Sequence, residues 1–129
     1  MVYNENTGNM TKFRFEDLEI WKFAIDLGLS IMETADEMDE RKFWRFADQT
    51  RGVAMSISNN IAESTGTNRI GEQQQLLRYA RRECFEAANI VILLHKKDLI
   101  SESKKDQIKS SLSILSRKIY NYSNSLEKL

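Results

Sequence analysis

The sequence predicts an all-α protein folded as an antiparallel, up-down-up-down four-helix bundle. Four long segments carry apolar residues at steps of three and four, which places those residues on one face of a helix. The 129 residues include no proline, the residue that interrupts helices most strongly. Only a few residues join one segment to the next, and short connections make consecutive helices pack antiparallel.

The first two helices are predicted from about Phe15 to Met38 and from about Arg41 to Ser64. Acidic residues in the first turn of the first helix complement the positive end of its dipole. The second half of the second helix is rich in serine and asparagine, whose side chains compete with helical hydrogen bonds. We therefore expect tertiary contacts to hold that half, and we expect Gly66 to end the helix in a left-handed conformation.

The third helix is predicted from about Ile70 to Lys97, with Thr67 or Asn68 as its cap. For the fourth helix, Ser101 or Ser103 is the expected cap. The fourth helix has the clearest pattern, because its apolar residues alternate steps of four and three, the seam of a bundle. These residues are Ile108, Leu112, Leu115, Ile119, Tyr122, Leu126 and Leu129.

A single domain is predicted at residues 13–129, after a flexible N-terminal segment at residues 1–12. The first dozen residues are polar and lack the apolar run of a secretory signal. The longest nearly apolar run, from Ala87 to Leu94, is too short to span a bilayer. With one cysteine, the chain has no internal disulfide. We therefore expect a soluble, cytoplasmic protein that does not associate with membranes.

The formal net charge is zero, but the charges are segregated along the chain. Residues 15–40 contain nine acidic residues and one lysine, whereas residues 41–129 contain sixteen basic and nine acidic residues. Such segregation can bias the choice of partner. The interpretation we prefer is that the basic helices neutralise the acidic first helix within one bundle.

No catalytic, cofactor or metal site is predicted. One histidine and one cysteine are too few for a structural zinc site, and the two Glu-x-x-His motifs of di-iron bundles are missing. Cys84 and His95 lie eleven residues apart on one helix, roughly three turns, which is too far for a nucleophile and its base. Glu63 and Glu86 are candidates for a carboxylate pair, but neighbouring Asn or Arg side chains are the commoner partners of such groups. We expect no enzymatic activity and no small-molecule substrate.

Clustered arginines are the sign of nucleic-acid binding in this sequence. Arg78, Arg81 and Arg82 occupy adjacent positions of the third helix, and Arg45 and Arg51 lie on the second. Cations neutralise phosphates, and arginine also stacks on bases. The alternative is that these arginines form a solvated face or part of an ion-pair lattice.

Two stretches of the sequence are distinctive. One is Ser56-Ile57-x-x-Asn60-Ile61-Ala62-Glu63, preceded by Gln49-x-Arg51, and the other runs from Phe15 to Trp21. Together with Ala80 and Glu86 they resemble the bacterial four-helix bundles encoded in intervening sequences of 23S ribosomal RNA genes. The chain departs from that family at Ser64, where the family has glycine, at Arg82-Glu83, where it has Gly-Ser, and in lacking a proline between the first two helices.

The resemblance implies a bundle that assembles as a ring-shaped homopentamer, has no catalytic residues and has no established cellular role. A similar bundle, the accessory protein of diversity-generating retroelements, binds nucleic acid and a reverse transcriptase through a basic surface. Within the matching stretch, Ser56, Asn60 and Glu63 share a helix face. Because buried polar groups need partners, we expect these three residues to form a structural polar network.

Two hypotheses of function follow. In the first, the protein is a non-enzymatic oligomeric scaffold associated with RNA or another nucleic acid through the five arginines. In the second, it is a structural or protein-binding homo-oligomer whose arginines pair with the acidic first helix. The resemblance favours the first hypothesis, and the zero net charge favours the second, because nucleic-acid-binding domains are usually basic.

Overall fold

The computed structural model describes residues 2–4 and 9–128 of the chain. Its four long helices confirm the predicted four-helix bundle. In chain order the elements are β1 (Val2–Asn4), β2 (Asn9–Thr11), a 3-10 turn (Arg14–Asp17), α1 (Glu19–Glu40), α2 (Trp44–Ser64), α3 (Ile70–Lys96), α4 (Glu102–Ser125) and a second 3-10 turn (Leu126–Lys128).

The two short strands form an antiparallel pair in which Tyr3 lies opposite Met10. The flexible segment predicted at residues 1–12 includes residues 1 and 5–8, which lie outside the described part of the chain. The flexibility of that segment therefore stays a prediction.

The helices are arranged in a closed ring, in which α1 packs on α2, α2 on α3, α3 on α4 and α4 on α1. Contacts at two levels give the relative direction of the first and last helices. Near the start of α1, Glu19 Oε1 accepts a hydrogen bond from Lys118 Nζ at 2.7 Å, late in α4. Farther along α1, Ser30 Oγ lies 3.1 Å from Lys104 Nζ, early in α4. The two helices therefore run antiparallel.

One core takes up the apolar stripes of all four helices. The seam predicted for the last helix is confirmed over the described residues, because Ile108, Leu112, Leu115, Ile119 and Leu126 are buried. Tyr122 packs against them half-buried, and Leu129 lies outside the described residues. The alternating steps of four and three thus identify the residues that hold α4 in the bundle.

Two helices end in a left-handed residue that is not glycine. Lys42 has a φ of 67° and Asp98 a φ of 59°. After α1, Phe43 N donates to Met38 O at 2.8 Å and Lys42 N donates to Asp39 O at 2.9 Å, the paired bonds of a Schellman motif. Because the chain reverses at Lys42, α2 begins at Trp44, later than the predicted Arg41.

The expectation of a left-handed Gly66 is wrong. The helix ends at Thr65 with right-handed φ and ψ of −84° and −6°, and Gly66 has no left-handed φ. Gly66 N instead donates to Glu63 O at 2.9 Å, which satisfies that carbonyl within a continued turn. A local backbone hydrogen bond therefore ends the helix here, and no left-handed glycine is needed.

The predicted caps of the last two helices are partly confirmed. Ser101 Oγ accepts from Lys104 N at 3.1 Å, so Ser101 caps α4. Arg69 occupies the N-cap position of α3, and its side chain makes no capping hydrogen bond. Thr67 Oγ1 accepts from Arg69 N at 3.2 Å and donates to Glu72 Oε2 at 2.6 Å, so Thr67 organises the start of α3 from two residues away.

Two equally buried threonines, each 1% exposed, allow a matched test of the core. Thr50 Oγ1 donates to Phe46 O at 2.6 Å, whereas Thr34 Oγ1 has no hydrogen-bond partner among the described residues. A buried hydroxyl without a partner costs free energy, so Thr34→Val is expected to raise the free energy of unfolding by about 1 kcal/mol. Thr50→Val, which removes a bond that is made, is expected to lower it by about 0.5–1 kcal/mol. Urea denaturation measures both, and a loss of stability in Thr34→Val would contradict the assignment.

Candidate functional site

Basic residues of α2 and α4 neutralise the acidic helix α1 within the chain. Arg51 Nη2 lies 2.6 Å from Asp36 Oδ1 and 2.5 Å from Asp39 Oδ2. On the opposite side of α1, Lys118 Nζ lies 2.7 Å from Glu19 Oε1. The pairing that the charge pattern suggests therefore occurs between helices of one molecule.

These contacts occupy Arg51, which is one of the five arginines proposed to contact nucleic acid. The hydrogen bonds that its guanidinium donates to Asp39 and then to Asp36 raise its pKa above the usual value. Asp48 approaches the same group at 3.7 Å. Because three carboxylates surround its guanidinium, Arg51 is poorly placed to bind a phosphate.

The other four arginines do not form one surface. Arg82 lines a pocket together with Asn60 on α2, so the exposed Arg78 and Arg82 lie at the level of Asn60. Arg45 comes fifteen residues before Asn60 on α2, roughly 22 Å along the helix axis. Arg45, at the start of α2, therefore lies roughly 20 Å along the bundle from Arg82, which is in the middle of α3.

Arg81 faces a third direction, towards α4. Its Cζ atom lies 5.4 Å from the centroid of the Phe85 ring and 5.0 Å from that of Tyr120. Its Nε is buried and has no hydrogen-bond partner among the described residues. Stacking between two rings makes Arg81 part of the α3/α4 contact. Whether any of the five arginines contacts nucleic acid stays a prediction.

The polar network predicted on α2 involves two of its three residues in the structure. Asn60 Nδ2 donates to Ser56 O at 2.9 Å and lies 3.4 Å from Ser56 Oγ. Glu63 is exposed and takes no part in these bonds. Because the Ser56–Asn60 bonds lie within one helix, they stabilise α2 locally and do not join it to a neighbouring helix.

A polar pocket of about 460 Å³ lies between α2 and α3. Its lining residues are Asn60, Tyr79, Arg82, Glu83 and Glu86. Burial, and then a hydrogen bond with Glu86, raise the pKa of the Glu83 carboxyl. The carboxylate partner of Glu86 is therefore Glu83, three residues earlier on the same helix, and not Glu63. Sequence reasoning missed this pair because only the depth of the α2/α3 contact distinguishes Glu83 from a solvated residue.

The raised pKa of Glu83 predicts the direction of a pH effect on stability. Between the ordinary carboxyl pKa and the raised one, the folded state binds the proton more tightly than the unfolded state, so stability falls as pH rises through that window. Glu83→Gln removes the charge and is expected to raise the melting temperature at pH 7. The gain is expected to shrink as pH falls through the ordinary carboxyl pKa of about 4.3, since the wild-type carboxyl becomes protonated in both states below it. The control is Glu63→Gln at an exposed position, which is expected to leave the melting temperature at pH 7 nearly unchanged because that side chain is solvated.

Cys84 and His95 are separated in the structure, as their spacing predicts. The Cys84 thiol is in the core, and burial raises its pKa to about 12. His95 lies at the end of α3, where its Nδ1 is 3.3 Å from Ile100 O. Within residues 2–4 and 9–128, no three His, Cys, Asp or Glu side chains are placed to hold a metal ion. None of the described helices is long and apolar enough to span a bilayer.

The burial of Cys84 predicts slow thiol chemistry. Because the thiolate is the reactive form, the native protein is expected to react with a thiol reagent at pH 8 far more slowly than the same protein in denaturant. Following colour release from a disulfide reagent, with and without guanidinium, measures the ratio. Equal rates in the two states would mean that the thiol is open to solvent.

An open groove of about 720 Å³ runs between α3 and α4. Phe85 is 60% exposed and Ile114 is 40% exposed, and both line the groove with Ile92. Lys109 and Arg117 add two positive charges to the lining and Asp106 adds one negative charge, so the lining is positive by one. We call this surface the α3/α4 face.

The opposite side of the bundle also exposes apolar side chains. Leu29 on α1 and Met55 on α2 are 58% and 51% exposed. Gly28 packs against Ala54, its Cβ position lying 3.7 Å from Ala54 O, so Leu29 and Met55 lie at the same level of the bundle. We call this surface the α1/α2 face. The only signal for either face in the sequence is an apolar residue that lies off the core stripe, and such residues are common on protein surfaces.

A family model described as 23S rRNA-intervening sequence protein matches residues 16–121. No curated protein matches the sequence. The family match covers most of the chain and all of α1 to α3, and the chain therefore belongs to this family.

Proposed function

We propose that this member of the 23S rRNA-intervening sequence family is a non-enzymatic scaffold that associates head to tail with copies of itself. One observation carries the proposal: the bundle exposes two apolar faces on opposite sides. Because α1 and α2 lie across the ring of helices from α3 and α4, one neighbouring copy cannot cover both the α1/α2 face and the α3/α4 face. Exposed apolar side chains on a folded protein favour association, because docking removes them from water.

The charges around the two faces are complementary. Glu33 and Asp36, four and seven residues after Leu29 on α1, keep 73% and 68% of their side chains exposed although they lie beside Lys104 and Arg51 of the same molecule. Lys109 and Arg117 line the α3/α4 face. Opposite charges favour docking of one face on the other, and like charges disfavour docking of either face on itself. A second copy of this chain is therefore the occupant that the groove fits best.

Contact between two different faces repeats in a defined way. However many copies have docked, an open assembly still has one uncovered α1/α2 face at one end and one uncovered α3/α4 face at the other. It therefore grows until the rotation between copies closes it into a ring. The family resemblance favours a ring of five copies.

The hypothesis of an RNA-associated scaffold is a second proposal with a different experimental signature. Family membership supports it, because the family is named after intervening sequences of 23S ribosomal RNA. The arrangement of the five arginines supports it less, since Arg51 is paired with aspartates and Arg81 lies between two rings. Charge reversal at Arg78 and Arg82 is the variant that separates an arginine-dependent RNA complex from self-association.

Self-association is tested with two variants that each remove one face. Leu29→Glu with Met55→Glu places charge on the α1/α2 face, and Phe85→Glu with Ile114→Glu places charge on the α3/α4 face. The four positions are exposed, so both variants are expected to keep the helical circular dichroism spectrum of the wild type. Sedimentation velocity at micromolar concentration is expected to show an oligomer, most simply a pentamer, for the wild type and a monomer for each variant.

A mixture of the two variants tests the head-to-tail arrangement. Each variant keeps the face that is disrupted in the other, so an equimolar mixture is expected to form a dimer with one intact interface. Two copies related by a two-fold axis would use one face against itself, and the mixture would then give no mixed dimer. A wild type that sediments as a monomer would exclude the proposal.

A further inference from the structure

One end of the bundle carries an exposed aromatic ring among cations. Trp44, the first residue of α2, is 61% exposed, more than any other large apolar residue in the described part of the chain. Five exposed cations lie at the same end, where α1 leads into α2 and α3 terminates. We call these six residues the basic end: Trp44, Arg41, Lys42, Arg45, Lys96 and Lys97.

Two contacts join the parts of the basic end. Lys97 Nζ lies 6.0 Å from the centroid of the Phe46 ring, so the end of α3 lies against the first turn of α2. Arg41 Cζ lies 5.4 Å from the Phe43 ring. Both phenylalanine rings are half-buried and already have a cation beside them. Among the described residues no cation or second ring lies over Trp44, which leaves its ring open for stacking.

The nearby acidic residues are partly directed elsewhere. Asp39 and Asp48 are turned towards Arg51 at 2.5 Å and 3.7 Å. Glu37 and Asp98 line one cavity beside the α3–α4 connection, and together with Glu40 they are exposed carboxylates near the five cations. The basic end therefore has an excess of positive charge although the whole chain is neutral.

The backbone conformation of Lys42 is a further feature of the basic end. Lys42 holds the left-handed position that ends α1, where glycine has no steric penalty. A lysine there is less stable than a glycine, yet its side chain is exposed and makes no ion pair among the described residues. The left-handed turn therefore holds an exposed cation two residues before Trp44.

We propose that the basic end binds single-stranded nucleic acid, with Trp44 stacking on a base and the surrounding cations contacting phosphates. This site goes beyond the proposed self-association and does not depend on it. Single strands offer open bases, whereas the bases of a duplex are stacked on each other. An anionic membrane suits this end less well, because a flat surface would also meet Glu40 and Asp98 and only one exposed large ring is available to insert.

The test measures binding of a fluorescein-labelled oligo(U) strand to the full chain by anisotropy, at low and moderate salt. Trp44→Ala is expected to weaken binding roughly 5- to 100-fold, the loss of one stacked base. Lys42→Gln with Arg45→Gln is expected to weaken it further at low salt. The double variant should also reduce the log–log salt slope by about 0.7 for each phosphate that the variant no longer neutralises. A labelled duplex of the same length is expected to bind more weakly than the single strand.

Two further variants separate the site from general charge and from folding. Arg14→Gln with Lys22→Gln removes the same two charges near the start of α1, at the other end of the bundle, and is expected to leave oligo(U) affinity unchanged. Lys42→Gly is expected to raise the melting temperature by roughly 3–6 °C while weakening binding, a split that a structural role would not produce.

Three results would overturn the proposal. The first is an Arg78→Gln, Arg82→Gln variant whose affinity falls as much as that of the Lys42/Arg45 variant, which would place the binding surface at the α3 arginines. The second is equal binding of the duplex and the single strand. The third is no oligo(U) binding at low salt together with Lys42-dependent sedimentation on phosphatidylserine vesicles, which would make the basic end a membrane-binding surface.

Discussion

Every helix of this protein has one apolar stripe, and a stripe can be buried only between two neighbouring helices. The closed ring of α1 to α4 satisfies all four stripes at once, so the core is shared and no helix is stable by itself. Side chains that lie off the stripes are left outside by the same geometry. Leu29, Met55, Phe85 and Ile114 are such side chains, and their exposure follows from ring closure.

The order of the helices in the ring determines which charged side chains meet. Because α1 lies between α2 and α4, its carboxylates are met by Arg51 from one side and by Lys118 from the other. Those pairs are partly exposed, and exposed pairs add little stability. Their larger consequence is that they neutralise some of the cations and some of the carboxylates, so that the remaining charge is positive near Trp44 and acidic along the outer side of α1.

The sequence predicted the features that depend on the spacing of apolar residues. It did not predict the features that depend on how closely neighbouring helices approach each other. The α4 seam from Ile108 to Leu126 is buried as expected, because spacing alone determines which side faces a neighbour. Gly66 was assigned a left-handed cap from residue type, while Lys42 and Asp98 hold that conformation through backbone bonds to their helices. The Glu83–Glu86 pair and the stacked Arg81 were missed because they depend on how closely α3 approaches its neighbours, which periodicity does not give.

The two proposed surfaces are compatible because they lie in different directions on the bundle. The α1/α2 and α3/α4 faces run along the helices, and docking them leaves the ends uncovered. In a cyclic assembly every copy is related by the same rotation, so the basic ends of all copies lie at one height on one side of the ring. Several weak sites at one rim bind a long strand more tightly than one site does, because each later contact is intramolecular. Self-association would then give a neutral chain a continuous basic rim, which the sequence of a single copy does not reveal.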